Sequence, residues 1–373
     1  MKPIYFILLT LLGSNCISQK KNTQREIAVE SNYNIHTQLI LEHLVWPGKR
    51  YPNRPMITEV IRYFDKYKDH PAIHFTDSLL RNKIFFSDEL MEISLYLEPL
   101  PSTKFKYSIE NTPYNDRIAL INEWKQKVSD FYIVSDVEGF MKSNKQFYDG
   151  AIKEVVNNLP PNDFIDQMET FYRDKKLKYT IIPCPEMKTG DKRGVGPYVQ
   201  TKEGMLVYQI ISASIPIQNM NKLSDCTEFG FNNREYILLN ARHEFGHSFV
   251  NPLLERADIT ELLNKYEKLF TRAFEKVMGD QNYGTWWDCV AEHLVRLGEI
   301  RIADRSGDSI LATKLRFENI EKKRFIFLPE LEEKVKQYES NKMYKSFLSY
   351  LPELINTLEQ FNVQKINSRI LED

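Results

Sequence analysis

The sequence contains few of the side chains that usually hold transition metals. Its 373 residues include seven histidines and four cysteines. No two cysteines have the CxxC spacing of cysteine zinc sites, so the sequence does not predict a zinc site of that kind. The net charge is −1, so no basic field predicts binding to nucleic acid or to an anionic membrane surface.

Long apolar runs are also missing. The apolar run at residues 4–12 is too short to span a bilayer as a lasting anchor, and no other segment approaches the required length. A positive charge before it and small residues after it predict a signal peptide over residues 1–18, cleaved after Ser18. We therefore expect an exported protein, either periplasmic, secreted or at the cell surface. The alternative is a lipid anchor at Cys16, although Asn15 is an unusual residue to precede one.

Export would give the remaining cysteines access to an oxidising compartment. Cleavage after Ser18 removes Cys16 and leaves Cys184, Cys226 and Cys289. Three cysteines allow one disulfide and one free thiol.

The order of sequence patterns predicts an α+β protein that is mainly helical. Residues 19–161 form an N-terminal region whose apolar side chains recur at helical spacing, ending at a pair of prolines. Residues 162–304 are expected to form the core, and residues 305–373 a C-terminal helical region. We expect a small twisted sheet in the core, packed on one long helix.

Two stretches of the core are typical of strands. Residues 176–184 and 204–215 are rich in β-branched and aromatic side chains. A polar, glycine-rich loop over 188–197 lies between them, and a helix is predicted at 261–278. The strand at 204–215 is either an edge strand, to which an extended peptide could add its backbone, or an ordinary internal strand.

Two of the seven histidines are four residues apart, in the stretch HEFGH at residues 243–247. On an α-helix, residues i and i+4 face the same way, so His243 and His247 can each give a nitrogen to one Zn²⁺ ion. Glu244 points about 100° around the helix, from where it can take a proton from water at the metal. Gly246 costs up to about 1 kcal/mol in a helix, which predicts close approach of another element or of substrate.

A catalytic zinc site usually has three protein ligands, and the segment YGTWWDCVAEHLVRLGEI, residues 283–300, is the obvious source of the third. Helical periodicity slightly favours His293 as a buried residue, but it does not distinguish a ligand from a core histidine. Glu255 and Glu299 are further candidates.

The run LLNARHEFGHSF followed by VAEHLVR resembles the gluzincin group of zincin metallopeptidases, and a group of exported bacterial proteins with the same HEFGHSF core. The resemblance covers residues 176–305. It implies a zincin-like core with His243, His247 and Glu292 as zinc ligands and Glu244 as the base. Several gluzincins have an aspartate four residues after the third ligand, where this sequence has Arg296.

That departure leaves the residue that orients the first histidine open, with Asp288 and Asn240 as candidates. A metallopeptidase also needs a hydrogen-bond donor to the tetrahedral oxyanion. Tyr283 is our candidate, with His293 and Arg296 as alternatives. The sequence thus predicts an exported zinc metallopeptidase that acts on peptides or proteins. The alternatives are an inactive zincin-like binding module of the cell surface and a zinc amidase with a non-peptide substrate.

Overall fold

The computed structural model describes residues 26–46, 54–187, 194–217 and 223–371, and the predicted signal peptide with Cys16 lies outside these ranges. The described residues form an α+β protein that is mainly helical and has one small mixed sheet, as predicted. Among the helices of these ranges, none has the length and apolar character that crossing a bilayer requires.

Helices occur throughout the described part of the chain, including the stretch before residue 161. They are α1 (Tyr33–Val45), α2 (Pro55–Phe64), α3 (Pro71–Arg81), α4 (Ser87–Leu95), α5 (Ile118–Val134), α6 (Val137–Ser143), α7 (Lys145–Asn157), α8 (Phe164–Tyr172), α9 (Arg234–Leu254), α10 (Ala257–Asn264), α11 (Arg272–Gly279), α12 (Trp286–Arg305), α13 (Ser309–Arg316), α14 (Leu328–Ser340), α15 (Phe347–Ile355) and α16 (Val363–Leu371).

The single helix predicted at 261–278 is wrong. The chain instead forms α10 and α11, separated by a short 3₁₀ turn. The Thr271 hydroxyl accepts a hydrogen bond from the Phe274 N–H at 3.3 Å and so caps the start of α11. A side-chain cap of this kind favours a new helix start over continuation of the old one.

The sheet has five strands: β1 (Ile27–Val29), β2 (Lys178–Cys184), β3 (Gly194–Val195), β4 (Tyr198–Gln200) and β5 (Met205–Ser212). β1, β2 and β5 run parallel, and β3 and β4 both pair antiparallel with the far side of β5. The strands predicted at 176–184 and 204–215 are confirmed as β2 and β5. Because β5 is paired on both sides, it is internal, and one edge of the sheet is formed by β3 and β4.

β3 begins inside the stretch that was predicted to be a loop. Residues 188–193 of that stretch lie outside the described ranges, but Gly194 and Val195 pair with Ile211 and Ile210 of β5. The neighbouring strand supplies the hydrogen bonds, so β3 forms although Gly194 disfavours a strand.

Helices cover both faces of the sheet, and β2 alternates its side chains between the two faces. On one face, Tyr179 packs against Phe245 of α9 with ring centroids 5.2 Å apart. On the other face, Ile182 and Cys184 share a buried cluster with Leu39 of α1. The sheet therefore separates the N-terminal helix α1 from α9, the helix that contains HEFGH.

The disulfide that the sequence allowed is not formed among Cys184, Cys226 and Cys289. All three side chains are buried thiols. Cys184 lies in the sheet and Cys289 in α12, and each packs in a different buried cluster.

Candidate metal centre

Helix α9 brings His243 and His247 together. The Asn233 side chain caps the helix by accepting from the Tyr236 N–H at 3.0 Å, ten residues before His243. The two imidazole rings are one turn apart, with centroids separated by 4.9 Å and planes at 89°. Their Nε2 atoms are 3.3 Å apart, so both nitrogens face one point.

Helix α12 packs closely against α9 and presents Glu292 to the histidines. A Cβ added at Gly246 would lie 3.1 Å from Val295 Cγ1, which is tighter than ordinary van der Waals contact. Gly246 therefore permits the close approach of another element that the sequence predicted, and that element is α12. Nearly every side chain of α12 from Cys289 onward is buried, because helices surround it.

The three side chains have separations that suit a tetrahedral ion. Glu292 Oε1 lies 3.3 Å from His247 Nε2, and Glu292 Oε2 lies 3.6 Å from His243 Nε2. Ligands bound tetrahedrally at 2.0–2.1 Å are about 3.3 Å from one another. Two imidazole nitrogens and one carboxylate are also a donor set that Zn²⁺ accepts in catalytic sites. These residues thus fit a zinc ion, and the cleft beside them leaves room for a fourth ligand.

Both histidines are oriented through their other ring nitrogen. His243 Nδ1 lies 2.9 Å from Glu299 Oε1, and His247 Nδ1 lies 3.2 Å from Asn251 Oδ1. A neutral imidazole that donates from Nδ1 has its Nε2 lone pair available for a metal. From the sequence, Glu299 was only an alternative ligand, and no pattern pointed to Asn251.

The residues predicted to orient the first histidine have other partners. Asp288 Oδ2 accepts a hydrogen bond from the Thr285 hydroxyl at 2.6 Å. Asn240 Oδ1 accepts one from Gln209 Nε2 at 2.7 Å, which ties α9 to β5. The structure assigns the orienting role to Glu299, which is two helical turns beyond Glu292 and so lies on the same face of α12.

Arg296 lies between the two carboxylates of α12. Its Nη2 is 2.9 Å from Glu292 Oε2, and its Nη1 is 4.0 Å from Glu299 Oε2. Nη2 also donates to the Tyr283 hydroxyl at 3.0 Å. Where several gluzincins have an aspartate, this chain thus has a cation that pairs with the acidic candidate ligand itself.

The charges of these groups reinforce one another. Burial alone would lower the pKa of His243, but the carboxylates of Glu292 and Glu299 outweigh it and raise that pKa to about 10. Burial alone would raise the pKa of Glu292, but His243 and Arg296 hold it well below its usual range. Glu292 is therefore ionised. Without a metal, His243 is protonated at neutral pH, so a cation that binds here must displace the proton from His243 Nε2.

Glu244 is buried and lies beside the edge of the sheet. Burial raises its pKa above the usual carboxyl value. A Cβ added at Gly194 would lie 2.6 Å from Glu244 Oε1, and one added at Gly196 would lie 2.3 Å from the Glu244 carbonyl oxygen. The two glycines therefore let β3 and the residues after it lie directly against the predicted base.

His243, Glu244, His247 and Glu292 line one cleft of about 1090 Å³. One wall comes from α9 and from the segment that leads into α12, and a second comes from β3 and β4. The third wall comes from α4 and the residues that follow it, in the N-terminal helical region. No sequence pattern had indicated a role for that region in the site.

The third wall brings carboxylates and tyrosines into the cleft. Glu92 accepts hydrogen bonds from the Tyr114 hydroxyl and the Tyr198 N–H, and its burial raises its pKa to about 8. The Tyr198 hydroxyl donates to Glu255 Oε1 at 3.0 Å. Glu255 lines the cleft but is not among the converging ligand atoms. Glu92 left no signal in the sequence, because an acidic residue in a helix is usually a solvated one.

Of the other predicted site residues, Tyr283 lies in the cleft and His293 does not. Tyr283 lines the cleft, and burial, together with Glu292, raises its pKa, so its hydroxyl retains a proton. His293 is fully buried and points away from the cluster. Its Nδ1 lies 2.6 Å from the Cys289 carbonyl oxygen, and its Nε2 accepts from the Phe327 N–H at 3.4 Å. Both ring nitrogens are thus occupied, and His293 is a core histidine.

The fold and site define a mainly helical α+β protein with a candidate metal centre in an open cleft. The chain belongs to the domain-of-unknown-function family DUF4932, whose model matches residues 48–357. No curated protein and no solved structure matches the chain. The family description names no activity, so any functional proposal rests on the geometry of the site.

Proposed function

We propose that this protein is a zinc-dependent metallopeptidase of the gluzincin type, which hydrolyses peptide bonds. The observation that carries the proposal is the convergence of His243 Nε2, His247 Nε2 and the Glu292 carboxylate, at separations of 3.3 to 3.6 Å, beside a buried Glu244. The order of these residues along the chain is a second support, because two ligands and the base lie on α9 and the third ligand lies on a later helix.

Peptide-bond hydrolysis at this site would use a bound zinc ion and a few side chains. A bound zinc ion supplies Lewis acidity to the attacking water and to the scissile carbonyl. Glu244 takes the proton of the attacking water and passes it to the leaving amine, and its raised pKa suits a group that must both accept and give a proton. Tyr283, whose hydroxyl keeps its proton, donates a hydrogen bond to the oxyanion. Arg296 and Glu299 act indirectly by fixing Glu292 and His243.

The edge of the sheet supplies a surface for an extended substrate. Among the described strands, β3 pairs with β5 on one side, and its residues line the cleft along the other. An extended peptide can add to such an edge through its backbone. This would lay the peptide across Glu244, because Gly194 and Gly196 hold the edge against that residue.

We also propose that the protein acts outside the cytoplasm, because of the signal peptide predicted over residues 1–18 and the alternative lipid anchor at Cys16. Cell fractionation and the mass of the mature chain test this part separately. A mature chain that begins at Gln19 supports cleavage after Ser18, and an acylated Cys16 supports the anchor.

Glu244→Gln tests the mechanism. The variant should bind zinc as the wild type does and lose turnover of a generic peptide library, because the amide cannot accept the proton. Glu235→Gln is the matched control, since Glu235 is on the same helix but pairs with Lys314 at the surface. Full turnover in Glu244→Gln would overturn the mechanism. A wild type that binds zinc but cleaves only non-peptide amides would indicate an amidase, and one that cleaves nothing would indicate a binding module.

A further inference from the structure

A second group of ligand-type side chains lies on the other face of the sheet. It comprises His36 of α1, Cys184 at the end of β2, and Glu186 two residues later. One ligand atom from each lies within 4.8 Å of the others. All three side chains have an exposed fraction of 0%. The group is separate from the candidate metal centre, because α1 and α9 cover opposite faces of the sheet.

The His36 ring is held from both sides. Its Nδ1 is in contact with the Glu186 carboxylate, and its Nε2 lies 2.8 Å from the Ser31 hydroxyl. Histidines that ligate metals almost always have their second nitrogen fixed by such a partner. The ring therefore points Nδ1 into the group in the manner of a ligand.

Two buried polar atoms beside His36 are unsatisfied. Glu186 Oε2 and the Tyr148 hydroxyl have no hydrogen-bond partner within the described ranges. The Tyr148 ring packs edge-on against His36, with centroids 4.9 Å apart. A buried carboxylate oxygen without a partner is strongly disfavoured unless a cation compensates it. Glu186 Oε2 is therefore available to a cation, and a bound ion would compensate its buried charge.

We propose that His36 Nδ1, Cys184 Sγ and the Glu186 carboxylate bind a structural divalent cation, with zinc as the best match. Zinc accepts nitrogen, sulfur and oxygen donors together, whereas magnesium and calcium prefer oxygen alone. Three side chains leave one tetrahedral position, for which the Tyr148 hydroxyl or a water is available. The ion would join α1 to the end of β2, and so fix the helical layer against the sheet.

Cation binding at this site involves no oxidation or reduction, and only protons are exchanged. The cation displaces the thiol proton of Cys184 to solvent, and an Nδ1–cation bond replaces the contact between Nδ1 and the carboxylate. The imidazole proton then resides on Nε2 and is donated to the Ser31 hydroxyl. The site needs no partner other than the ion.

Cobalt titration of the metal-free full-length protein tests the proposal. Thiolate bound to Co²⁺ gives a charge-transfer absorption in the near ultraviolet that histidine and carboxylate ligands do not give. The wild type should develop this absorption and bind two equivalents of cobalt. Cys184→Ser should lose the absorption and one equivalent. Cys226→Ser and Cys289→Ser are matched controls, because these buried thiols lie outside the group, and both should keep it.

The outcome is independent of the proposed peptidase activity. His243→Ala should lose the other equivalent of cobalt and keep the thiolate absorption. A wild type saturated with cobalt that shows no thiolate absorption would overturn the second site, whatever happens at His243. The wild-type spectrum decides the matter even if Cys184→Ser fails to fold. Glu186→Gln, which retains the thiol, should bind one equivalent fewer than the wild type, and two equivalents in this variant would also contradict the proposal.

Discussion

Glu299 Oε1 lies 2.9 Å from His243 Nδ1, two turns beyond Glu292 on the same buried helix. One helix thus contributes both a candidate ligand and the group that orients a second ligand. Residues in this outer role typically affect metal affinity by about 10- to 100-fold. Glu299 therefore offers a test of the site that leaves all three ligands intact.

Glu299→Ala should lower zinc affinity by about 10- to 100-fold, because His243 loses the acceptor that fixes its ring. Glu299→Gln should recover part of that loss, since its amide oxygen can still accept the Nδ1 proton. Competition with a chelator of known affinity measures both. Asp288→Asn is the control, because the hydrogen bonds of Asp288 within the described ranges are with Thr285. The zinc affinity of this variant should not change. Equal affinities for Glu299→Ala and the wild type would remove the orienting role.

Gly194→Ala tests the contact between the sheet edge and Glu244. The added Cβ would lie 2.2 Å from Asn240 Oδ1 and 2.6 Å from Glu244 Oε1, so β3 or the base must move. A displacement of about 1 Å in a catalytic group can cost about 100-fold in rate, and we expect kcat/KM for peptides to fall by that order while zinc content is unchanged. Gly284 lines the same cleft, but a Cβ added there would have no neighbouring atom within 4 Å. Gly284→Ala is therefore the control, and its kcat/KM should be unchanged. Unchanged kcat/KM in Gly194→Ala would contradict the placement of β3.

The raised pKa of Glu92 predicts a preference for cationic substrates that depends on pH. Burial raises the pKa of Glu92 to about 8, so the carboxyl is neutral below that pH and negative above it. The ratio of kcat/KM for a lysine-containing peptide to that for its neutral analogue should therefore increase as pH rises through about 8, where lysine is still protonated. Glu92→Gln should flatten this dependence. A ratio that stays constant with pH in the wild type would exclude Glu92 from substrate contact.

The lowered pKa of Glu332 predicts that this residue contributes to stability in a pH-dependent way. Burial opposes its ionisation, but hydrogen bonds from Arg316 and Arg301 outweigh burial and lower the pKa of Glu332. A lowered pKa in the folded state means that the contribution is complete above the unfolded value of about 4.3 and is lost as pH falls through the folded value. Glu332→Gln should thus lower the free energy of unfolding by about 1–3 kcal/mol at pH 7.

Urea denaturation at pH 7 and at successively lower pH measures that difference. It should shrink below about pH 4, as the wild-type carboxyl becomes protonated. Glu333→Gln is the control, since the Glu333 side chain is 78% exposed, and its effect should be small at every pH. A difference for Glu332→Gln that grows on acidification would show that the sign is wrong.

Local spacing predicted the parts of the site that one helix determines. His243 and His247 converge because they are four residues apart on α9. The choice between Glu292 and His293 was harder, because α12 is buried on all sides and its apolar side chains mark no single face. Periodicity favoured His293, whereas the resemblance to gluzincins pointed to Glu292, the residue that the structure brings to the histidines.

The features that depend on distant segments could not be predicted. Glu92 reaches the cleft only because α4 packs beside β4, and no local pattern records that contact. β3 was missed because glycine disfavours strands, and β4 because three residues are too short to show a strand pattern. The spacing of Gly194 and Gly196 was nevertheless a usable signal for close backbone approach. The pairing of Arg296 with Glu292 could have been anticipated from their i, i+4 spacing on a helix.

The most direct measurement is anomalous diffraction at the zinc absorption edge from crystals of the full-length protein grown with zinc. We expect a peak within about 2.0–2.2 Å of His243 Nε2, His247 Nε2 and a Glu292 carboxylate oxygen, with His243 Nδ1 still bonded to Glu299. The absence of a peak there in crystals that contain zinc elsewhere, or a peak ligated by His293 in place of Glu292, would contradict the proposed metal centre.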